Sequence, residues 1–134
     1  MINAISIALS GLTAASRKVD TAASNIANVS TGGALDPSTG GKAPYSALET
    51  TQTSTAQGGV TADVRVKQPG YVPAYDPNSP FANTDGEIGV PNISLDAEAV
   101  NLKLAETTYK ANIQSLKTSI EMSDELFKAF DKKA

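Results

Sequence analysis

The chain has 134 residues, of which 40% are hydrophobic and only 5% aromatic, and it contains no tryptophan. Its net charge of −3 argues against nucleic-acid binding, which requires a basic patch, and against electrostatic attachment to anionic membranes. Because cysteine and histidine are both absent, disulfides, the usual zinc sites and imidazole-based catalytic triads are excluded.

The distribution of helix-breaking residues divides the chain into three zones. All seven prolines and every glycine except Gly11 lie within residues 30–94. Both residue types disfavour helix, so residues 1–29 and 95–130 are free to be helical, whereas residues 30–94 form a loop-rich insertion. No stretch is long and apolar enough for a transmembrane helix. We therefore predict a mainly α fold, with long terminal helices packed as a coiled-coil-like pair and a Gly/Pro-rich middle containing a small β-hairpin.

Residues 1–29 carry apolar side chains at heptad spacing. Two sets recur every seven residues: Ile5, Leu12, Val19 and Ile26 in the first, and Ile2, Leu9, Ser16 and Ala23 in the second. This a/d pattern predicts an amphipathic helix. The rest of its surface carries small neutral residues rather than charges, which is what close packing on a second neighbour needs. We expect Asn28 and the pair Gly32-Gly33 to end the helix.

The middle zone contains one clear strand. Apolar and polar residues alternate over residues 60–67, and residues 45–53 are the predicted partner strand, with a turn at residues 57–59. Because an isolated hairpin is marginal in water, it should lean on a helix or on a neighbouring subunit. Residues 71–90 are predicted to form an extended acidic loop.

Residues 95–130 repeat the heptad pattern of the first helix. The two sets are Leu95, Leu102, Tyr109, Leu116, Ser123 and Phe130, and Ala99, Glu106, Ile113, Ile120 and Phe127. Ser94 or Asp96 can cap the start of this helix, and Lys128, Lys132 and Lys133 suit its negative end. Two terminal stripes with the same repeat are explained most economically if they pack on each other. The sequence leaves open whether that seam closes within one chain or between chains.

Candidate chemistry along the chain is weak. The acidic segment at residues 76–87 resembles a calcium loop only superficially, because Pro80 and Phe81 stand where an EF-hand needs a ligand and a glycine. Serine and threonine are abundant, but there is no histidine to activate them and no nucleophile elbow. We therefore predict an acidic turn at this segment, a protein that is not an enzyme, and neither a cofactor nor a metal site.

Three segments resemble the flagellar axial family, which comprises rod, hook and hook-associated proteins. The first is Ser10-Gly11-Leu12 together with the Asn-rich run ASNIANVST at residues 23–31. The second is YDPNSP at residues 75–80, followed by Asp85-Gly86 and Pro91-Asn92-Ile93, which is similar to the segment before the last helix in one type of proximal-rod subunit. The third is YKANIQSLKT at residues 109–118, similar to the C-terminal signature of the family.

The chain also departs from that family at two places. Residues 43–48 lack the basic residues that often follow a Gly-Pro-Tyr, and residues 14–18 lack the usual Gln-Arg. These departures leave the resemblance to rod proteins intact, but they weaken any inference about contacts with particular neighbours.

The resemblance implies a structural subunit of the proximal rod in the flagellar basal body. Such a subunit would leave the cytoplasm through the flagellar type III export pathway without a cleaved signal peptide and assemble in the periplasmic space. Its partners would be other copies of itself and other rod proteins, with the MS ring and the export apparatus at the base of the rod. The terminal helices would line the inner wall of a helical tube that encloses the export channel and transmits torque. Neither nucleic-acid binding nor direct membrane insertion is expected.

We expect the assembly interface along the two stripes and at three asparagines. The predicted residues are Ile5, Leu9, Leu12, Val19, Asn25, Ile26, Asn28, Leu95, Leu102, Tyr109, Asn112, Ile113, Leu116, Ile120 and Phe127. The asparagine amides would bridge adjacent helix ends in the polymer, although Asn28 is explained equally well as a cap of its own helix. Because the stripes need partners, we expect the terminal helices to be partly disordered in the free monomer. The alternatives are the second type of proximal-rod subunit and a soluble coiled-coil adaptor of the export system.

Overall fold

The computed structural model describes residues 2–131. In chain order, these residues form helix α1 (Ile2–Ala27), a short 3-10 turn (Pro37–Thr39), strands β1 (Leu48–Ser54), β2 (Val60–Val66), β3 (Tyr71–Tyr75) and β4 (Glu87–Pro91), and helix α2 (Leu95–Asp131). Both long helices lie where the heptad patterns predict them. They have uninterrupted stretches free of proline, and the single glycine within them, Gly11, is tolerated at a modest cost.

The end of α1 is fixed by an asparagine. The side-chain amide of Asn28 donates to the Ser24 carbonyl at 2.9 Å, and the chain then turns over residues 28–30. This contact confirms that Asn28 ends its own helix. Gly32 and Gly33 lie beyond that turn, so they do not terminate the helix as we expected.

Helix α2 begins at a serine cap. The hydroxyl of Ser94 accepts a hydrogen bond from the Ala97 N–H at 3.4 Å, which satisfies one of the free donors of the first turn. Acidic residues occupy that first turn, and Lys128 lies in the last turn, so both ends complement the helix dipole. Lys132 and Lys133, which we also expected at the end of this helix, lie outside the described residues.

Strands β1 and β2 form the predicted antiparallel hairpin, with Leu48 opposite Val66. The connecting loop contains Gly58 and Gly59, whose φ angles of 85° and 89° lie in the left-handed region that glycine adopts at little cost. The alternating strand, its partner and its turn are therefore confirmed.

The segment predicted to be an extended acidic loop instead forms a second hairpin. Strand β3 pairs antiparallel with β4, placing Tyr71 opposite Pro91 and Tyr75 opposite Glu87. The prediction is wrong because proline argues against a strand only in the interior of a sheet. A two-stranded sheet consists of edge strands alone, where a proline can turn the side that lacks an N–H away from the partner strand.

The buried core is made of small side chains. Apart from Pro44 and Pro91, the buried apolar side chains are all alanines: Ala8, Ala14, Ala15, Ala22, Ala34, Ala47, Ala62 and Ala105. The largest fully buried side chain among the described residues is that of Asn25. A fully buried large apolar side chain stabilises a fold by about 1.5–3 kcal/mol. No described residue supplies that full contribution, so the apolar stabilisation of the chain comes from small alanines and from larger side chains that are only half-buried.

Candidate assembly surface

Small side chains bring α1 and α2 into close antiparallel contact. Asn25 near the end of α1 meets Glu98 near the start of α2, and Gly11 meets Asn112 further along. Between these contacts, Ala105 is completely buried. The helices therefore pair as predicted, but the seam is not the predicted one. Alanine and glycine let the two helix axes approach closely, which larger residues at the contact would prevent.

A second face of α1, next to the one that contacts α2, is covered by the β1–β2 hairpin. Arg17 donates through Nη1 to the Ala62 carbonyl at 2.5 Å, and the Val60 N–H donates to the Ser10 hydroxyl at 3.1 Å. At the tip of the hairpin, a Cβ added to Gly59 would lie only 2.4 Å from Ser10 Oγ, so the glycine permits this close approach. The hairpin leans on a helix, as we expected, and α1 is covered by the hairpin on one face and by α2 on the next.

Asn25 holds the junction of α1, β1 and α2. Its Nδ2 donates to the Leu48 carbonyl and to Glu98 Oε1, both at 2.8 Å. Its Oδ1 accepts from the Leu48 N–H at 2.9 Å and from the Tyr45 hydroxyl at 3.2 Å. These bonds use the donors and acceptors of the amide within the chain. Asn25 therefore positions β1 and α2 on α1, and it does not present its amide to a neighbouring subunit as we expected.

The other two asparagines also form bonds within the chain. Asn28 caps its own helix, which is the simpler of the two predicted roles. Asn112 donates to the Thr108 carbonyl at 2.8 Å and packs against Gly11, where an added Cβ would lie 2.4 Å from Asn112 Oδ1. Asn112 thus lies between the two helices of one chain, and a contact between subunits at this residue stays a prediction.

The large apolar residues of the two heptad stripes lie along one edge of the helix pair. On each helix the stripe stands about a quarter turn away from the line of small residues that touches the other helix, as the 3.6-residue turn requires. Six members are half-buried: Ile5, Leu12, Ile26, Leu102, Ile113 and Leu116. Six are exposed: Leu9, Val19, Leu95, Tyr109, Ile120 and Phe127. The stripes therefore flank the seam and leave an apolar surface open.

An open groove of about 660 Å³ runs between the two stripes. Val19 of α1 and Leu102 and Tyr109 of α2 line its apolar part, and Lys103 and Lys110 stand at its rim. A groove of this size, lined by exposed large apolar side chains, is typical of a surface that binds another protein or another copy.

The charged groups at the rim of the groove form a local ion-pair network. Glu106 accepts hydrogen bonds from Lys110 and from Lys103, the latter at 2.9 Å. The bond from Lys110, then that from Lys103, lowers the pKa of Glu106 from its usual value to about 2. Because all three side chains are solvent-exposed, this network fixes side-chain positions along α2 more than it stabilises the fold.

The described residues offer little for chemistry or for membrane insertion. Among residues 2–131, no group of three or more acidic side chains converges in a way that could hold a metal ion. The acidic segment between β3 and β4 is a series of turns. In these turns Asn83 Oδ1 accepts hydrogen bonds from the N–H groups of Asp85 and Glu87, at 2.9 and 2.8 Å. Neither long helix of the described chain is apolar over enough residues to span a bilayer.

Both a family model and whole-chain relatives match this sequence to flagellar rod proteins. Residues 5–34 match the family model of the flagella basal body rod protein. Over 125 residues, the chain is 34% identical to the flagellar basal-body rod protein FlgC of Escherichia coli O6:H1, covering 88% of this chain and 89% of the relative. It is 35% identical to FlgC of Buchnera aphidicola over 91% of this chain and 92% of the relative, and 28% identical to FlgC of Aquifex aeolicus over 97% of both.

Proposed function

Because this chain belongs to the family of flagellar basal-body rod proteins of the FlgC type, we propose that it is a structural subunit of the proximal rod that polymerises through its terminal helices. One observation carries the proposal. The two helices are joined within the chain by small residues such as Ala105 and Gly11, which leaves their large apolar side chains on an open edge. Such an edge is costly in a free monomer and useful only when another subunit covers it.

The order of layers supports a defined orientation in a tube. The β1–β2 hairpin covers one side of α1, α2 covers another, and exposed charged residues lie on the far side of α2 from α1: Lys103, Lys110, Lys117, Glu121 and Lys128. In this proposal the hairpins face outward, and the charged strip of α2 faces the hydrated export channel. The apolar edge then lies between neighbouring subunits.

Torque transmission follows from that packing. Head-to-tail contacts between copies that do not close into a ring generate a helical filament. In such a filament, the close α1–α2 contact and the Asn25 junction make each subunit a stiff unit, and the apolar edges join these units. No catalytic group is required for this role.

The proposed surroundings are those of the basal body. Other copies of the chain and other rod proteins are the proposed neighbours, with the MS ring and the export apparatus at the base of the rod. The proposed place of assembly is the periplasmic space, reached by flagellar type III export. The weakly stabilised alanine core favours this route, because a chain that unfolds readily can pass through a narrow channel.

A charge placed on the apolar edge tests the proposal. We expect Leu9→Lys, at a side chain that is 56% exposed, to leave the helix content of the purified chain unchanged and to abolish both incorporation into basal bodies and swimming. The matched control is Gln114→Lys, which adds the same charge at an exposed position of α2. The control should assemble and swim. Normal swimming of cells that carry only the Leu9→Lys chain would contradict the proposed interface.

A further inference from the structure

The C-terminal part of α2 extends well beyond the N-terminus of α1. The Asn25–Glu98 and Gly11–Asn112 contacts define one antiparallel register, in which Ile2 stands opposite residue 121. The part of α2 that follows, residues 122–131, therefore has no α1 residue beside it among the described residues. At 1.5 Å per residue this overhang is about 15 Å long.

The overhang keeps the apolar character of a packed helix. Leu126 falls seven and fourteen residues after Ser119 and Asn112, so it continues the line of α2 that touches α1. Phe127 and Phe130, two of the three phenylalanines in the chain, lie next to it. They are 69% and 65% exposed. The overhang thus carries two large aromatic side chains and a leucine with nothing from the described chain to cover them.

The groove between the stripes and the overhang are both apolar, and their charged residues differ in net sign. Its apolar lining, Val19, Leu102 and Tyr109, is exposed or half-buried and accessible from solvent. Its rim carries two lysines against one glutamate. The overhang, residues 122–131, carries three carboxylates (Asp124, Glu125 and Asp131) against one lysine, Lys128, while Lys132 and Lys133 lie outside the described residues. Opposite net charges at the two surfaces favour their association and orient it.

The overhang cannot reach the groove of its own chain. Phe127 lies 21 residues beyond Glu106 on one continuous helix, a separation of about 31 Å. A groove that the overhang fills must therefore belong to a different molecule, and the same two surfaces exist on every copy.

We propose that the overhang of one copy, centred on Phe127 and Phe130, inserts into the groove of a second copy, between Val19 and Tyr109. The contact is heterologous, because the surface that one copy donates differs from the surface that the other receives, so it can propagate from copy to copy. This inference rests on the proposed function and assigns the two halves of one subunit contact within the polymer.

The absence of cysteine makes the contact directly testable by disulfide cross-linking. The chain with Val19→Cys and Phe127→Cys should give covalent dimers and longer ladders when isolated basal bodies are treated with copper phenanthroline. Within one chain the two positions are too far apart for a disulfide, whose Cα atoms lie at about 4.4–6.8 Å. The matched control combines Phe127→Cys with Val100→Cys, a residue that is 67% exposed on a different face of α2, and it should give no dimer.

Each outcome of the cross-linking experiment decides the matter. Dimers from the Val19 pair alone support the contact. Basal bodies that contain the chain but yield no dimer from that pair, or equal dimer from the control pair, overturn it and leave the proposed function standing. Absence of even the unsubstituted chain from basal bodies overturns the proposed function instead. If the double variant does not assemble, co-expressed single variants must give the mixed Val19–Phe127 dimer, and a Val19–Val19 dimer would overturn the proposal.

Discussion

Replacing Asn25 with leucine should loosen the junction that holds β1 and α2 on α1. Leucine is similar in size but forms none of the hydrogen bonds of the amide, so the N–H and carbonyl of Leu48 lose their partners. An unpaired buried backbone group costs about 1–3 kcal/mol. Two such groups would together cost about 2–6 kcal/mol, and because Leu48 is only half-buried we expect the lower part of this range, about 2–4 kcal/mol.

Amide hydrogen exchange measures this loss at the affected bond. At 1.4 kcal/mol for each factor of ten, the Leu48 amide of the Asn25→Leu chain should exchange about 30- to 700-fold faster in isolated basal bodies. The control Asn3→Leu makes the same substitution at an exposed position of α1 and should change the rate by no more than about twofold. A rise of less than about threefold at Leu48 in the Asn25→Leu chain would refute the assignment of Asn25 as the junction residue.

Three further predictions concern packing and charge. Gly33→Ala should lower the free energy of unfolding by about 1–3 kcal/mol in thermal denaturation, because the new Cβ would lie 2.3 Å from the backbone carbonyl oxygen of Lys42. In the control Gly32→Ala, the new Cβ would lie 3.2 Å from its nearest atom, so the loss should be smaller. Ala22→Leu should separate the helices and destabilise the assembled chain by about 1–3 kcal/mol, since its site is fully buried, so the amides around residue 22 should exchange about 5- to 140-fold faster in isolated basal bodies; unchanged exchange there would contradict the close contact. Lys110→Gln should raise the pKa of Glu106 from about 2 toward 4.5 in an NMR titration. The stabilising effect of the Glu106 pairs is present above pH 4.5 and is lost as the pH falls toward 2, so no pH dependence should appear near neutrality.

The helices and the first hairpin follow from local sequence alone. Glycine and proline are confined to the middle of the chain, so the heptad repeats on either side have no competing structure. Strand β2 alternates over its length, and Gly58 and Gly59 supply the positive φ angles of its turn. In each case the deciding information lies within one element.

The heptad pattern does not show which faces of α1 and α2 pack against each other. A heptad stripe of large apolar residues is equally consistent with a seam inside the chain and with a surface for a neighbouring subunit. The signal for the true seam is the second, smaller set of Ala8, Gly11, Ala15 and Ala22, which are spaced by three, four and seven residues and so share one helix face. That repeat is compatible with close helix packing, but small residues contribute little apolar area, so the larger side chains dominate any count of hydrophobicity.

The Asn25 junction and the second hairpin depend on distant parts of the chain. Asn25 is buried because Leu48 and Glu98, 23 and 73 residues away, meet at its amide. Strands β3 and β4 are separated by the acidic turns and contain prolines, so neither strand is evident without its partner. Pairing between segments remote in sequence decided both features, and local pattern has no access to it.

In this proposal the terminal helices become well ordered only when neighbouring subunits cover their apolar edge. Amide hydrogen exchange of residues 2–27 and 95–131, measured in the purified monomer and in the same peptides of isolated basal bodies, checks this coupling. We predict fast exchange of both helices in the free chain and strong protection after assembly. Strong protection of both helices in the free monomer would contradict the claim, because it would show that the alanine seam alone is sufficient to hold the helix pair together.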